Sequence, residues 1–386
     1  MDGGGTWALI QAKALANLYP NIKAGHELLS RFNLVAATSG GSIVASALMA
    51  DMSPAQIIEK FMDESWRKQL FVELSWYDRI PRILGLGPRF STDKKLTGLQ
   101  KVLGIWADKS LGQVKSDIEA KQPCPNFLIT SFNYDRERIV LFRSNITSTS
   151  ASKAPPAEPS IAEVVHASTN APVNFFDKPA EVAGGRFWDG AVSGANNPVL
   201  VAVVEALANG VKAEDIRVLS IGTGNTFPPS LRIGQPPIYK KWEDPGLLTD
   251  IKKMAGSILD DPPDAATYIS HVVLGGKVSA YGGVVTDSKV IRMNPLIQPV
   301  SKNGRWEIPH ALTEEEFSKL EDMDMAVVED EPVRLIEKFC EAWMNISANP
   351  NTNPVPNQGI RANGDTLELE IGHRTFTEAK VAWLKM

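Results

Sequence analysis

Three short segments carry residue types capable of chemistry. In Ala37-Thr38-Ser39-Gly40-Gly41 a serine stands between an apolar run, Leu34 to Ala37, and a helix pattern, Ser42 to Met49. A serine on a sharp strand-to-helix turn has its hydroxyl lifted clear of a sheet, and small neighbours let strand and helix pack closely behind it. The Gly40 amide would then point toward a developing oxyanion, helped by the positive end of the following helix. Alone the pattern is weak, because small-x-Ser-x-Gly arises by chance in roughly a quarter to a third of chains this long.

Asp2-Gly3-Gly4-Gly5 leaves several backbone N–H groups free to converge on an anion, since no side chain crowds the approach. No Lys-Ser or Lys-Thr follows it, as a phosphate-cradling P-loop requires, and the spacing is not that of a dinucleotide site. Finally, Trp188-Asp189-Gly190-Ala191 puts an aspartate at the end of an apolar run and before a glycine turn, ahead of Asn196-Asn197-Pro198. Each segment by itself has an ordinary reading: a turn, a loose terminus, a turn.

Together, and in this order, the three resemble the patatin-like phospholipase family, known by a glycine-rich loop, a Gly-x-Ser-x-Gly elbow and a later Asp-Gly-Gly or Asp-Gly-Ala. Echoes are Ala167-Ser168-Thr169-Asn170-Ala171-Pro172 and Ser220-Ile221-Gly222-Thr223-Gly224, and the resemblance covers about residues 2 to 300. It implies a three-layer α/β/α fold with a mainly parallel central sheet. It makes Ser39 the nucleophile and Asp189, 150 residues later, its base. The oxyanion hole falls to amides of Gly3, Gly4 and Gly5, with Gly40 contributing. The implied activity is release of fatty acids from phospholipids or other glycerolipids through an acyl-enzyme, with no cofactor and no metal.

The chain departs from that pattern in three places. Ala37 replaces the first elbow glycine, and Trp7 stands where the family has a basic residue two places after the loop. Members also enter the loop from an apolar strand, whereas Met1 directly precedes Asp2; the expectation is that the first strand is missing.

The elements around these segments fit an α/β protein. Trp7 to Leu18 has helical spacing. Helical patterns run from Ser53 to Leu103, broken at Gly85 to Pro88. Asn126 to Phe132 and Arg138 to Phe142 read as strands, and Ser148 to Pro159 as a surface loop. Val164 to Ala167, Phe187-Trp188 and Val218 to Ile221 are short apolar segments, and Pro198 to Ala208 is a helix with proline in its first turn. Pro228 to Pro263 reads as an excursion from the sheet, Thr313 to Trp343 as helical, and Asn349 to Gln358 as a linker. The organisation expected is a catalytic domain over 1–310 and a helical extension and tail over 311–386.

Composition excludes other classes. The net charge of −5 over 386 residues gives no basic face for nucleic acid. Two cysteines, Cys124 and Cys340, make no disulfide scaffold. No signal peptide or membrane-spanning run is visible, which implies the cytoplasm, with any lipid met peripherally. Oligomeric state is not written in the sequence.

Competing readings remain. An α/β-hydrolase triad would draw on His271 or His310. Asp260-Asp261-Pro262-Pro263-Asp264 lacks the ligand alternation of a calcium loop and reads as a solvated turn. Trp66 to Phe90 mixes aromatic and basic residues and fits either a lid or membrane contact, or a helix with buried aromatics and charges in water. At the level of function, a soluble carboxylesterase or thioesterase and a non-catalytic lipid-binding protein compete with the lipid hydrolase. Phosphate transfer is disfavoured, since no carboxylate cluster accompanies the glycines.

Overall fold

The computed structural model describes residues 1–74, 87–145, 158–226, 246–277, 285–302, 305–345, 354–360 and 371–386. It has the expected three-layer α/β/α architecture. The central strands are β1 (Leu34–Ala37), β2 (Asn126–Asn133), β3 (Arg138–Arg143), β4 (Ala180–Val182), β5 (Gly185–Asp189), β6 (Val218–Ile221), β7 (Asn225–Thr226) and β8 (Val290–Met293). β1 pairs in parallel with β2, and β6 with β8; β3, β5 and β4 extend the β2 side with antiparallel pairings. The main chain of Met1 and Asp2 lies between β1 and β6. Met1 N donates to Ala36 O and Met1 O accepts from Thr38, while Asp2 N donates to Ile221 O.

Alternation along the strands explains the layers. Ile291 and Met293 of β8 enter the main core, while Val290 packs into a second cluster on the opposite face. Successive strand side chains point to opposite faces, so a strand apolar on both sides must be covered twice. The main core takes helices α1 (Leu9–Leu18) and α2 (Gly40–Met49). It also takes α3 (Thr92–Leu103) and α4 (Ile161–Ser168). The second cluster takes α5 (Val199–Ala208) and α6 (Leu247–Val273).

The carboxy-terminal helices α7 (Glu314–Glu321), α8 (Asp330–Met344) and α9 (Phe376–Lys385) pack into the main core. In α8, Val333, Ile336, Cys340 and Trp343 recur at helical spacing and are all fully buried. Trp7, in the position without the expected basic residue, joins them edge-on against Phe339.

Several expectations are corrected. Val164 to Ala167 belongs to a helix, opened by a capping box between Ser160 and Glu163 that the sequence already contains. Pro262-Pro263 does not end an excursion but lies inside the 27-residue α6, where the Pro263 carbonyl accepts from Asn197 and Thr267. Thr313 to Trp343 is two helices, and the tail is a third. Residues 75–86, most of the 148–159 loop, 228–245 and 349–353 lie outside the described residues.

Candidate active site

β1 and α2 meet at Ser39, whose backbone sits at φ 48°, ψ −123°. An L-residue adopts this conformation only under constraint. The constraints are visible. Thr38 is fully buried, its hydroxyl bonded to Thr130 at 2.7 Å and to the Ala195 carbonyl at 2.6 Å. The Ser39 amide donates to the Ser168 hydroxyl at 2.9 Å, and the Ser42 hydroxyl donates to the Ser39 carbonyl at 2.6 Å. Ser39 itself is 5% exposed.

The glycine loop crosses directly against this turn. A Cβ on Gly40 would lie 2.7 Å from Gly5 N and 2.6 Å from Gly5 O, so backbone touches backbone here. Gly5 adopts φ 56°, beneath the Met325 carbonyl. The loop is anchored by Asp2, buried and paired with Arg292 at 2.6 Å, and by Thr223, whose hydroxyl donates to Gly3 O at 2.6 Å. The Gly3 N–H is spent on the Asn196 carbonyl at 2.9 Å, so Gly3 leaves the set of available donors. Among the described residues, the amides of Gly4, Gly5 and Gly40 donate to no protein acceptor.

β5 delivers Asp189. Since β1 and β5 both flank β2, with Ala37 opposite Ile129 and Asp189 opposite Ser131, residues 150 apart in sequence arrive at one level of the sheet. Asp189 is 2% exposed, and its carboxyl accepts from Ala191 N at 2.9 Å. Burial pushes its pKa up to about 6, against the pull of hydrogen bonds from Ala191 and Ser39 and of the nearby Lys95 charge.

Ser39, Gly5, Gly40 and Asp189 line one cleft with Ile43, Leu70, Phe71, Leu99, Phe175 and Phe176, and with Lys95, Met325 and Ala326. Its enclosed space is about 20 Å³, room for little more than a water molecule. Met325 and Ala326 belong to a strap, residues 324–328, laid across the glycine loop. Thr6 N donates to Met325 O at 2.9 Å, the Thr6 hydroxyl to Val327 O at 2.7 Å and the Trp7 indole to Asp324 O at 3.1 Å. Arg67 donates to Val328 O at 2.7 Å, and Arg89 pairs with Asp324.

No histidine lines this cleft. Both ring nitrogens of His271 are engaged, by Ser288 and by the Lys277 carbonyl, and His310 is exposed, so neither completes a triad with Ser39. Among the described residues no cluster of His, Cys, Asp or Glu could hold a metal, and no helix is long and apolar enough to cross a membrane. Of the aromatic and basic stretch, Trp66 and Leu70 are buried on a helix that spans Glu64–Leu70, and Leu74, beyond its end, is buried as well. Arg67 breaks both readings of that stretch: it is fully buried and pairs with Asp330. Trp76, Tyr77, Arg79 and Arg82 lie outside the described residues.

The sequence reading missed Lys95, Arg292, Ser168 as a partner of the elbow, and the strap. Lys95 did leave a signal, since it occupies the helix stripe of Leu99 and Leu103, where a lysine is out of place.

The model of a family described as patatin-like phospholipase matches residues 1–203, just over half of the chain. Among curated proteins, a cUMP-AMP-activated phospholipase of Escherichia coli is 27% identical over 231 residues, 58% of this chain and 63% of its own length. The chain therefore spans less than two thirds of that relative. The putative sporulation hydrolase CotR of Bacillus subtilis (strain 168) is 25% identical over 316 residues, 80% of this chain and 89% of its own. Among solved structures, VipD from Legionella pneumophila aligns at 12% identity with a TM-score of 0.36, covering 87% of this chain and 66% of that one.

Proposed function

The chain belongs to the patatin-like phospholipase family, and on that premise we propose that it hydrolyses acyl esters of glycerolipids with Ser39 as nucleophile and Asp189 as base. The observation that carries the reading is the conjunction in one cleft of a strained serine turn, a buried carboxyl facing it and the unengaged amides of Gly5 and Gly40, with that of Gly4 next in the same loop. As the Ser39 oxygen attacks the ester carbonyl carbon, its proton passes to Asp189 and the carbonyl oxygen becomes an oxyanion. Amides of Gly4, Gly5 and Gly40 receive that charge, each worth on the order of 3 kcal/mol. Collapse breaks the bond to the alcohol, which leaves with the proton from Asp189. Water then attacks the acyl-enzyme, again giving its proton to Asp189. The second collapse returns that proton to Ser39 and frees the fatty acid.

The cleft walls are apolar on the side of Ile43, Leu70, Phe71, Leu99 and Phe175, which suits an acyl chain better than a charged head group. The small enclosed space supports a second reading, hydrolysis of short acyl esters by the same dyad. Vesicles of mixed phospholipids and a series of soluble esters, each given to wild type, Ser39→Ala and Asp189→Asn, test both. Fatty acid release lost at least a hundredfold in both variants is expected. Retention of activity in Asp189→Asn would move the base elsewhere. Turnover confined to short soluble esters would favour the second reading.

A further inference from the structure

Among the described residues three lysine or arginine side chains are buried: Arg67, Lys95 and Arg292. Arg67 pairs with Asp330 and Arg292 with Asp2, each at 2.6 Å. Lys95, 2% exposed, touches no carboxylate among the described residues. Its ammonium donates to the His166 carbonyl at 3.0 Å and to Asn170 Oδ1 at 2.9 Å, and lies 4.0 Å from the centroid of the Phe176 ring. Two oxygens and a ring face all favour the charged amine, although burial opposes it. Burial holds the Lys95 pKa well below the ordinary lysine value, while the negative charges of Asp189 and Asp177 pull it back up, and Asp189 shares the wall of the cleft. His166, the other titratable group beside Lys95, is held neutral by burial and by the lysine charges.

A second link is mechanical. Asn170, fully buried, accepts from Lys95 with its side chain, donates to the Lys178 carbonyl at 2.8 Å, and accepts the Asp189 N–H on its own carbonyl at 2.9 Å. A buried charge with only neutral contacts is costly, and here it stands between the cleft and the loop that fixes Asp189.

We propose that Lys95 is a positioning residue for Asp189: its charge holds the aspartate side chain as a carboxylate, the form that takes a proton, and its bond to Asn170 steadies the carbonyl that receives the Asp189 amide. The inference rests on the reading of Asp189 as base. Without a neighbouring cation, a carboxyl so deeply buried would stay protonated to higher pH and be idle as a base.

The pH dependence of kcat/KM on p-nitrophenyl butyrate tests this in wild type, Lys95→Met, Lys95→Gln, Lys95→Arg and Asp189→Asn. The acid limb should move up by about one unit in the Met and Gln variants and stay near wild type in the Arg variant. A limb unmoved in Met and Gln overturns the inference, as does an equal shift in Arg, which would mark a packing role. An active Asp189→Asn enzyme would instead sink the assignment of the base. If neither neutral variant folds, ¹⁵N NMR of the wild-type Lys95 amine decides without turnover. It must remain an ammonium throughout the acid limb, and a neutral amine there overturns the inference.

Discussion

The main-chain N–H of Ser39 donates to the Ser168 hydroxyl, and two residues later the Asn170 carbonyl receives the N–H of Asp189. One turn at the end of α4 thus holds both halves of the proposed dyad. Ser168→Ala would leave the buried Ser39 amide without an acceptor, a loss of about 1–3 kcal/mol in urea unfolding. Because the same bond holds a strained backbone, kcat should fall by about tenfold or more with KM little changed.

Gly40 is required by proximity. An added methyl would overlap the Gly5 backbone, and backbone cannot rotate aside as a side chain can. Gly40→Ala should therefore displace two oxyanion donors together and lower kcat at least about a hundredfold. Circular dichroism alongside the assay would separate this from unfolding, and a variant with near-normal rate would remove these amides from the mechanism.

Asp189 must be ionised to accept a proton. With its pKa raised to about 6 by burial, kcat/KM should rise as pH increases through 6 and level off above it. A profile still flat down to pH 4 would contradict the role of this carboxyl.

The same shift has a cost in stability. The folded-state pKa of Asp189 lies above its ordinary 3.8, so the folded protein binds the proton more tightly than the unfolded chain. Its stability contribution is full below pH 3.8 and is lost as pH rises through about 6. Asp189→Asn should consequently raise stability above pH 6, by up to about 3 kcal/mol, and the advantage should vanish near pH 4. Thermal unfolding of both proteins across that range checks it; equal Tm values at pH 8 would refute it.

Met325 lines the cleft together with Ile43 and Phe71. Met325→Ala should raise the ratio of long-chain to short-chain kcat/KM by roughly tenfold, since pocket methylenes are worth that much in discrimination. A series of p-nitrophenyl esters from butyrate to palmitate reads the ratio directly, and an unchanged ratio would place the acyl chain elsewhere.

Much of the site was legible because its chemistry is local in sequence. Ser39 sits between an apolar strand and a helix, Gly3 to Gly5 are consecutive, and Asp189 ends a strand, so each motif announces its own geometry. What could not be read depends on pairing between distant segments. That Gly3 spends its amide on Asn196, or that Arg292 anchors Asp2, follows from the order of strands and not from any spacing. The capping box of α4 was readable but outweighed by the apolar run within it. In α6, Pro262-Pro263 reads as a boundary because proline breaks isolated helices, yet the helix runs through both, packed where Asn197 reaches the Pro263 carbonyl from outside it.

The strap adds a consequence in time. Ser39, the glycine loop and Asp189 all leave the ribosome before residues 324–328, the strap following Ser39 by about 290 residues. At ordinary rates of synthesis that interval is roughly 15–60 s. The walled cleft cannot exist on a nascent chain before residue 328 is made, so the pocket is closed long after Ser39 and the glycine loop have been translated.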